Sequence, residues 1–255
     1  MRTIMIGDIH GTLDELMLLL VKAGYCPGDR VISLGDLCDR GIDSPGVIKY
    51  CIEKGFEAVM GNHDAKLVKR WRHVVRKRHE PSYKISMRYS ADQMQTITAL
   101  SDSDMEWLAN LPHYISLQEF NVLCVHAGLM PRLRLEHQPK EVLTMLRYLD
   151  IETRRKMLSM KYPDFEQPDN SIFWAECYDG KADVVFGHSV VSLDGTIGYW
   201  EGLGRGRCYG IDTGAVFGGY LSAMILDSTK PESREIVQVK ALREYYEPAV
   251  KYKTL

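Results

Sequence analysis

No two of the six cysteines form a C-x-x-C pair, and Cys26, Cys38, Cys51, Cys124, Cys177 and Cys208 are scattered over 255 residues. A zinc knuckle or a disulfide framework is therefore not expected; reduced thiols in a cytoplasmic protein are. No apolar run approaches the roughly 18 residues that a spanning helix needs. The first such run is broken by Gly7, Asp8 and His10, too short for a signal sequence. Neither sign of charge dominates: Lys and Arg total 32, Asp and Glu 34, for a net charge of −2. That excludes wholesale nucleic-acid binding through the global field, and no stable nucleic-acid partner and no membrane partner are expected. There is no repeat and no low-complexity linker. Hydrophobic residues make up 45%, enough at this length for a full core. The expectation is one domain over residues 1–255.

What is present is regular. Thr3–Ile6 is an apolar strand followed by a helical run, Leu13–Ala23, with Leu13, Leu16, Met17 and Leu20 on one face. Arg30–Leu34 is a second strand. Pro45–Lys54 reads as a helix with Ser44 as its cap. Phe56–Met60 is a third strand. Strand–helix–strand–helix–strand is the pattern of a parallel α/β sheet. A basic helix over Ala65–His79 and one or two more over Ser90–Leu111 follow. His113–Leu117 and Val122–Val125 read as an antiparallel pair. Asp183–Phe186, Arg207–Ile211, Tyr220–Leu226 and Glu235–Val239 are strand-like, so the second half is strand-rich. The stretch Leu133–Met160 predicts a helical insert at about 130–170.

The chemistry sits where strands end. Gly-Asp-Ile-His-Gly occupies 7–11, Gly-Asp-Leu-Cys-Asp-Arg-Gly 35–41 and Gly-Asn-His-Asp 61–64. In a parallel sheet all three fall on the carboxyl edge, where ligands bind. His126-Ala127-Gly128 and Gly187-His188-Ser189 also directly follow strands. Any one of these has an ordinary explanation; Asp8, for instance, could cap the helix that begins near Thr12. Five at five strand ends do not. Asp8, His10, Asp36, Asn62, His126 and His188 combine carboxylate and amide oxygens with three imidazoles. That set suits Mn²⁺, Fe or Zn²⁺ and is too nitrogen-rich for Ca²⁺. Six such groups are too many for one open catalytic ion and suit two sharing a carboxylate.

These five motifs, in this order, resemble those of the calcineurin-like metallophosphoesterases, and within them the phosphoprotein-phosphatase group. The resemblance covers nearly the whole chain. Trp174–Gly180, Val185–Ser189 and Ile211–Gly219 resemble a bacterial and phage branch that includes Ser/Thr protein phosphatases and diadenosine tetraphosphate hydrolases. The resemblance implies a two-sheet sandwich flanked by helices and two divalent ions, Mn²⁺ before Fe or Zn²⁺. Asp8, His10 and Asp36 would hold one ion, and Asp36, Asn62, His126 and His188 the other, with Asp36 bridging. It implies direct attack of metal-activated water on phosphorus, with His63 as general acid, Asp39 orienting it and Arg40 clamping the phosphate. Asp212 would adjoin the metal site.

The chain departs from the eukaryotic phosphatases at Asp64, where they carry Glu, and in having His-Ala-Gly as its fourth motif. It also lacks any Arg over 171–187 that could serve as a second phosphate contact, which leaves Arg132 or Arg205. The expected substrate is first a phosphomonoester, as on a phosphorylated protein, then a nucleotide anhydride such as diadenosine tetraphosphate, then an RNA-end phosphate. A catalytically dead binding protein is disfavoured because His63, Asp39 and Arg40 are all intact. Lys66, Lys69, Arg70, Arg72, Arg76, Lys77 and Arg78 read either as a cationic wall for a polyanion or as a solvated helix face. Arg132, Arg134, Arg147, Arg154, Arg155 and Lys156 make the insert basic, as a cap over the cleft would be. Trp71, Trp107, Trp174 and Trp200 read as core or cleft walls.

Overall fold

The computed structural model describes residues 2–85, 90–152, 156–158 and 167–247. Its first sheet grows from the alternating pattern of the N-terminal half. Strand β1 (Arg2–Ile6) lies between β2 (Arg30–Ser33), parallel to it, and β12 (Tyr220–Asp227), antiparallel. Strands β3 (Glu57–Ala58) and β13 (Lys230–Lys240) complete the order β13-β12-β1-β2-β3. The second sheet is built from β4 (Tyr114–Leu117), β5 (Val122–Val125), β9 (Asp183–Phe186), β10 (Gly198–Glu201) and β11 (Arg207–Gly210), in the order β10-β11-β9-β5-β4. Its centre, β11-β9-β5, is parallel, and β4 and β10 run antiparallel at the edges.

The two sheets pack face to face. Met5, Ile32 and Met224 of the first form one buried cluster with Leu117, Cys124 and Val185 of the second. The pleat sends the alternate residues Ile4 and Ile6 to the opposite face of β1. There they pack under α1 (Leu13–Lys22), α2 (Ser44–Lys54), α3 (Asn62–His79), α4 (Ala91–Ala99) and α5 (Asp102–Ala109). The outer face of the second sheet is covered by the insert, through Leu146, Tyr148, Phe173 and Trp174. Among the described residues no helix is long and apolar enough to cross a membrane.

The insert is not the helical stretch expected from its Leu and Arg spacing. Among the described residues it holds one short α-helix, α6 (Lys140–Met145), and a three-stranded sheet of β7 (Lys156–Leu158), β6 (Leu146–Asp150) and β8 (Ser171–Phe173). The first four residues of β6 are buried, and the strand gains ladder partners on both sides, which overrides helical spacing. Arg154 and Arg155 lie outside the described residues.

Other boundaries moved for local reasons. The third strand keeps two of its five expected residues, because the Met60 amide leaves the sheet to donate to the Pro112 carbonyl. Asp43, not Ser44, caps α2: its Oδ1 accepts from the Gly46 amide at 2.8 Å. Ser44 Oγ instead accepts from the Asp39 amide. Asp8 does not cap α1; its Oδ1 accepts from the His188 amide at 3.0 Å.

Candidate active site

The carboxyl ends of the parallel strands of both sheets meet. From the first sheet come the turns after β1, β2 and β3, carrying Asp8 and His10, then Asp36, Asp39 and Arg40, then Asn62 and His63. From the second come His126, next after β5, and His188, two residues beyond β9. Asp8, His10, Asp36, His126 and His188 are all buried.

The backbone is bent to do this. His10, Asp36, Asp39, Arg40 and His188 have positive φ, between 48° and 72°, and account for five of the eight such non-glycine residues described. Conformations of this kind persist only where the surroundings impose them. Gly35, at φ 94°, has no alternative: a Cβ there would press on the Gly61 amide and the His126 ring.

All six expected ligating residues converge. His10 Nε2 lies 3.5 Å from Asp36 Oδ2 and 3.9 Å from Asp8 Oδ2. On the other side, His126 Nε2 lies 3.4 Å from Asp36 Oδ1 and 3.0 Å from Asn62 Oδ1. Asp36 thus offers one oxygen to each group. His10, Asp36 and His63 form one set whose ligand atoms lie within 4.8 Å of one another, and Asp36, His126 and His188 form another.

His63 stands at the edge of this floor. Its Nδ1 is 2.9 Å from Asp39 Oδ2, and its amide donates to Asp36 Oδ1. Arg40 Nη1 is 3.2 Å from His10 Nε2. Asp212, also buried, accepts from the Gly214 amide. The calcineurin-like phosphoesterase profile matches residues 1–216.

The chain belongs to that family. It is 28% identical over 239 residues to an asymmetrical bis(5′-nucleosyl)-tetraphosphatase of Oceanobacillus iheyensis, covering 88% of each chain. It is 30% identical over 233 residues to that of Anoxybacillus flavithermus, covering 86% of this chain and 88% of the relative. A symmetrical tetraphosphatase of Neisseria meningitidis is 27% identical over 286 residues, covering 92% and 94%. Among solved structures, one provisionally assigned as a diadenosine tetraphosphatase superposes with a TM-score of 0.73 at 29% identity, covering 94% and 93%.

A calcineurin-like phosphoesterase is a hydrolase that works with divalent metal ions, and the donor set here fits them. His126 Nδ1 donates to the Leu34 carbonyl at 2.7 Å, which leaves a lone pair on Nε2. That lone pair faces Asn62 Oδ1 and Asp36 Oδ1, so acceptors converge with no proton between them. Likewise His10 Nδ1 donates to the Cys38 carbonyl at 2.8 Å. His188 Nε2 is buried with no hydrogen-bond partner. Imidazoles held by a backbone carbonyl through one nitrogen and turned inward with the other are the usual arrangement around a metal.

The charges agree. Burial and the neighbouring Asp212 and Asp36 push the Asp8 carboxyl up. Burial and Arg40 push His10 down to about 3, and burial and Arg147 push His188 well down. Asp36, despite burial, is held low by His126, His63 and His10. Asp39 is held low by its hydrogen bond to His63, again against its burial. Burial also pushes the Cys38 thiol up, so it is not a reactive thiolate.

Three residues to which the sequence analysis gave no role at the metal-site turns belong to the site. Gln93, on α4, donates from Nε2 to Asp39 Oδ2 at 2.8 Å, the oxygen that also faces His63. Asp64, wholly buried, accepts from the Leu37 and Gly61 amides and so ties the second turn to the third. Arg147 is buried on β6, with Nη2 donating to the His188 carbonyl at 2.8 Å. Arg132 and Arg205, the two candidates for a second phosphate contact, are exposed. Their amides bond to Asp179 and the Gly180 carbonyl. Only an expected helix could have hidden Arg147 in the basic count of the insert; its strand is what aims it inward. Of the seven cations of α3, Lys66 and Arg70 line the cleft with His63, while Arg76 pairs with Glu80 and Arg78 with Asp102. The wall and the solvated face are thus two sides of one helix.

Proposed function

We propose that the protein hydrolyses bis(5′-nucleosyl) tetraphosphates, in preference to the phosphorylated proteins that its motifs first suggest. The observation that carries this reading is the cleft beside His63: Arg40, Lys66 and Arg70 all line it. Three cations serve a substrate with several phosphates; a monoester needs fewer. The near full-length likeness to tetraphosphatases supports the same choice.

Asp8, His10 and Asp36 are assigned to one divalent ion, and Asp36, Asn62, His126 and His188 to a second, with Mn²⁺ the first candidate. Bound there, the ions supply Lewis acidity and a nucleophile at neutral pH. The chain's own residues do the rest. Arg40 holds phosphate oxygens through its planar fork, and Arg147 adds positive charge behind His188. Asp39 holds His63 through Nδ1 and so turns its Nε2 toward the departing oxygen, and Gln93 holds Asp39 in place. Asp212 lies within electrostatic reach of Asp8 and, as a like charge, helps push its carboxyl up.

The test is a panel with Mn²⁺: diadenosine tetraphosphate, a phosphoserine peptide and p-nitrophenyl phosphate. The expected result is a kcat/KM for the tetraphosphate at least tenfold above that for the peptide. The reverse order would restore the protein-phosphatase reading.

A further inference from the structure

The cleft beside His63 contains a feature that hydrolysis itself does not require. After β13 the chain returns as a strap. The Leu242 amide and the Tyr245 hydroxyl donate to Oε1 of the buried Glu15 at 2.9 and 2.7 Å. The Tyr245 and Tyr246 amides both donate to the Val216 carbonyl at 3.0 Å. The strap carries Tyr246 to the cleft rim, packed edge-on against Phe217 at 6.1 Å. The Arg40 guanidinium lies 5.1 Å from the Phe217 ring centre and 5.8 Å from that of Tyr246. Phe217 is buried. Tyr246 is 47% exposed, so it shows an aromatic face to the same cleft that the cations line. A flat aromatic face beside a line of cations is how a protein takes a nucleotide: base on the ring, phosphates on the charges.

His63 decides which end of the substrate lies here. Its Nδ1 is committed to Asp39, so Nε2 is the nitrogen that meets substrate. A proton from Nε2 goes to the departing oxygen, and the cleft on that side holds what departs. Its volume, about 440 Å³, is in the range of small-molecule sites. It continues past Asp39, Arg40 and Asp92 into a second hollow of about 520 Å³ at the start of α2, with room for a long substrate.

We propose, resting on the tetraphosphatase reading, that this cleft seats the leaving nucleotide, with its phosphates on Arg70 and Lys66 and its base stacked on Tyr246. Asp92, which also lines the cleft, is placed for a ribose hydroxyl. In the step, a bond forms from the water oxygen to phosphorus. The bridging P–O bond breaks, its electron pair goes to the departing oxygen, which takes the proton from His63 Nε2, and the proton lost by the attacking water returns to His63 through solvent. A departing phosphate is weakly basic, so the charge of Arg70 and Lys66 offsets much of what protonation does for an alkoxide.

The experiment compares Tyr246→Leu with the unaltered protein on diadenosine tetraphosphate and on inorganic tetraphosphate, which has no base. The expected result is a KM ratio, nucleotide over inorganic, that rises about tenfold. Tyr246→Trp should restore it. A ratio unchanged from that of the unaltered protein would mean that the ring serves only to hold Arg40, and would overturn the proposal. If the unaltered protein does not cleave diadenosine tetraphosphate, the tetraphosphatase reading fails by itself. The cleft is then read from inhibition of p-nitrophenyl phosphate hydrolysis by ATP and by inorganic triphosphate. Tyr246→Leu weakening the first more than the second upholds the nucleotide seat, and equal weakening rejects it.

Discussion

The floor of the site and the wall of its cleft obey different rules. On the floor, Asp8, His10, Asp36, His126 and His188 are buried, and three of the five, His10, Asp36 and His188, have positive φ; the turns of Asp8 and His126 are fixed instead by hydrogen bonds to His188 and Leu34. On the wall, Lys66 and Asp92 are exposed, Tyr246 is half-exposed, and the contributing segments, α3, α4 and the C-terminal strap, lie far apart in the chain. A floor that gathers like-charged carboxylates and strained backbone tolerates no alternative arrangement. A wall that recognises substrate can vary without disturbing the chemistry. The comparison predicts that floor substitutions abolish turnover on every substrate, and that wall substitutions change which substrate is used.

The largest effect should come from the floor. Chelation should abolish hydrolysis and Mn²⁺ restore it. Asp36→Asn should lower kcat by at least about 10³-fold on all substrates, because one carboxylate serves both groups of ligands. Metal content measured alongside should fall as well. Substantial turnover by the metal-stripped protein would remove the distinction between floor and wall.

His63 stands at the boundary. His63→Asn should leave metal content intact and slow alkyl phosphates by roughly 10² to 10⁴. The loss should be smaller on nitrophenyl phosphate and diadenosine tetraphosphate, whose leaving oxygens need less protonation. Equal losses across these leaving groups, read from single-turnover rates, would assign His63 another role.

Asp64 tests whether the floor is held by its own hydrogen bonds. Asp64→Ala leaves the buried Leu37 and Gly61 amides without an acceptor, at about 1–3 kcal/mol each. A lower Tm together with weaker metal binding is expected; an unchanged Tm would show that the turns hold themselves.

A smaller effect belongs to the wall. Lys66→Gln should raise KM for diadenosine tetraphosphate more than for nitrophenyl phosphate, and the difference should fade toward 1 M salt, as exposed charges are screened. Parallel shifts in both KM values would return α3 to a solvated helix.

The smallest lies outside both. Asp183 binds Arg207 and Arg234, and its hydrogen bonds to Arg207 hold its carboxyl low despite burial. A lowered folded value stabilises above the usual carboxylate range, and that stability is lost as pH falls through the folded value. Asp183→Asn should therefore cost about 1 kcal/mol at neutral pH and little in strong acid, by denaturant titration, with kcat unaltered.

How much of this could be read in advance follows from the range of the forces involved. The turns after β1, β2 and β3 were legible because strand, Gly and ligand are adjacent in the chain, and a parallel sheet brings such turns to one edge wherever it forms. His126 and His188 followed the same rule in the second sheet. The insert was misread because its Leu and Arg spacing fits a helix, while burial on both sides of β6 makes it a strand. Strand β10 passed unnoticed: an edge strand with alternating half-exposed residues has little apolar signature.

The amino-acid sequence by itself therefore determined the family, the parallel half of the fold and which acidic, amide and imidazole side chains gather on the floor, since each is specified by neighbours within a few residues. Only the tertiary structure decided that Gln93 buttresses Asp39 from 54 residues away, that Arg147 and not Arg132 or Arg205 stands behind His188, and that Tyr246 meets Arg40 across the cleft. Those contacts depend on how α4, β6 and the C-terminal strap pack, and packing is set by the summed burial of many side chains that no local spacing records.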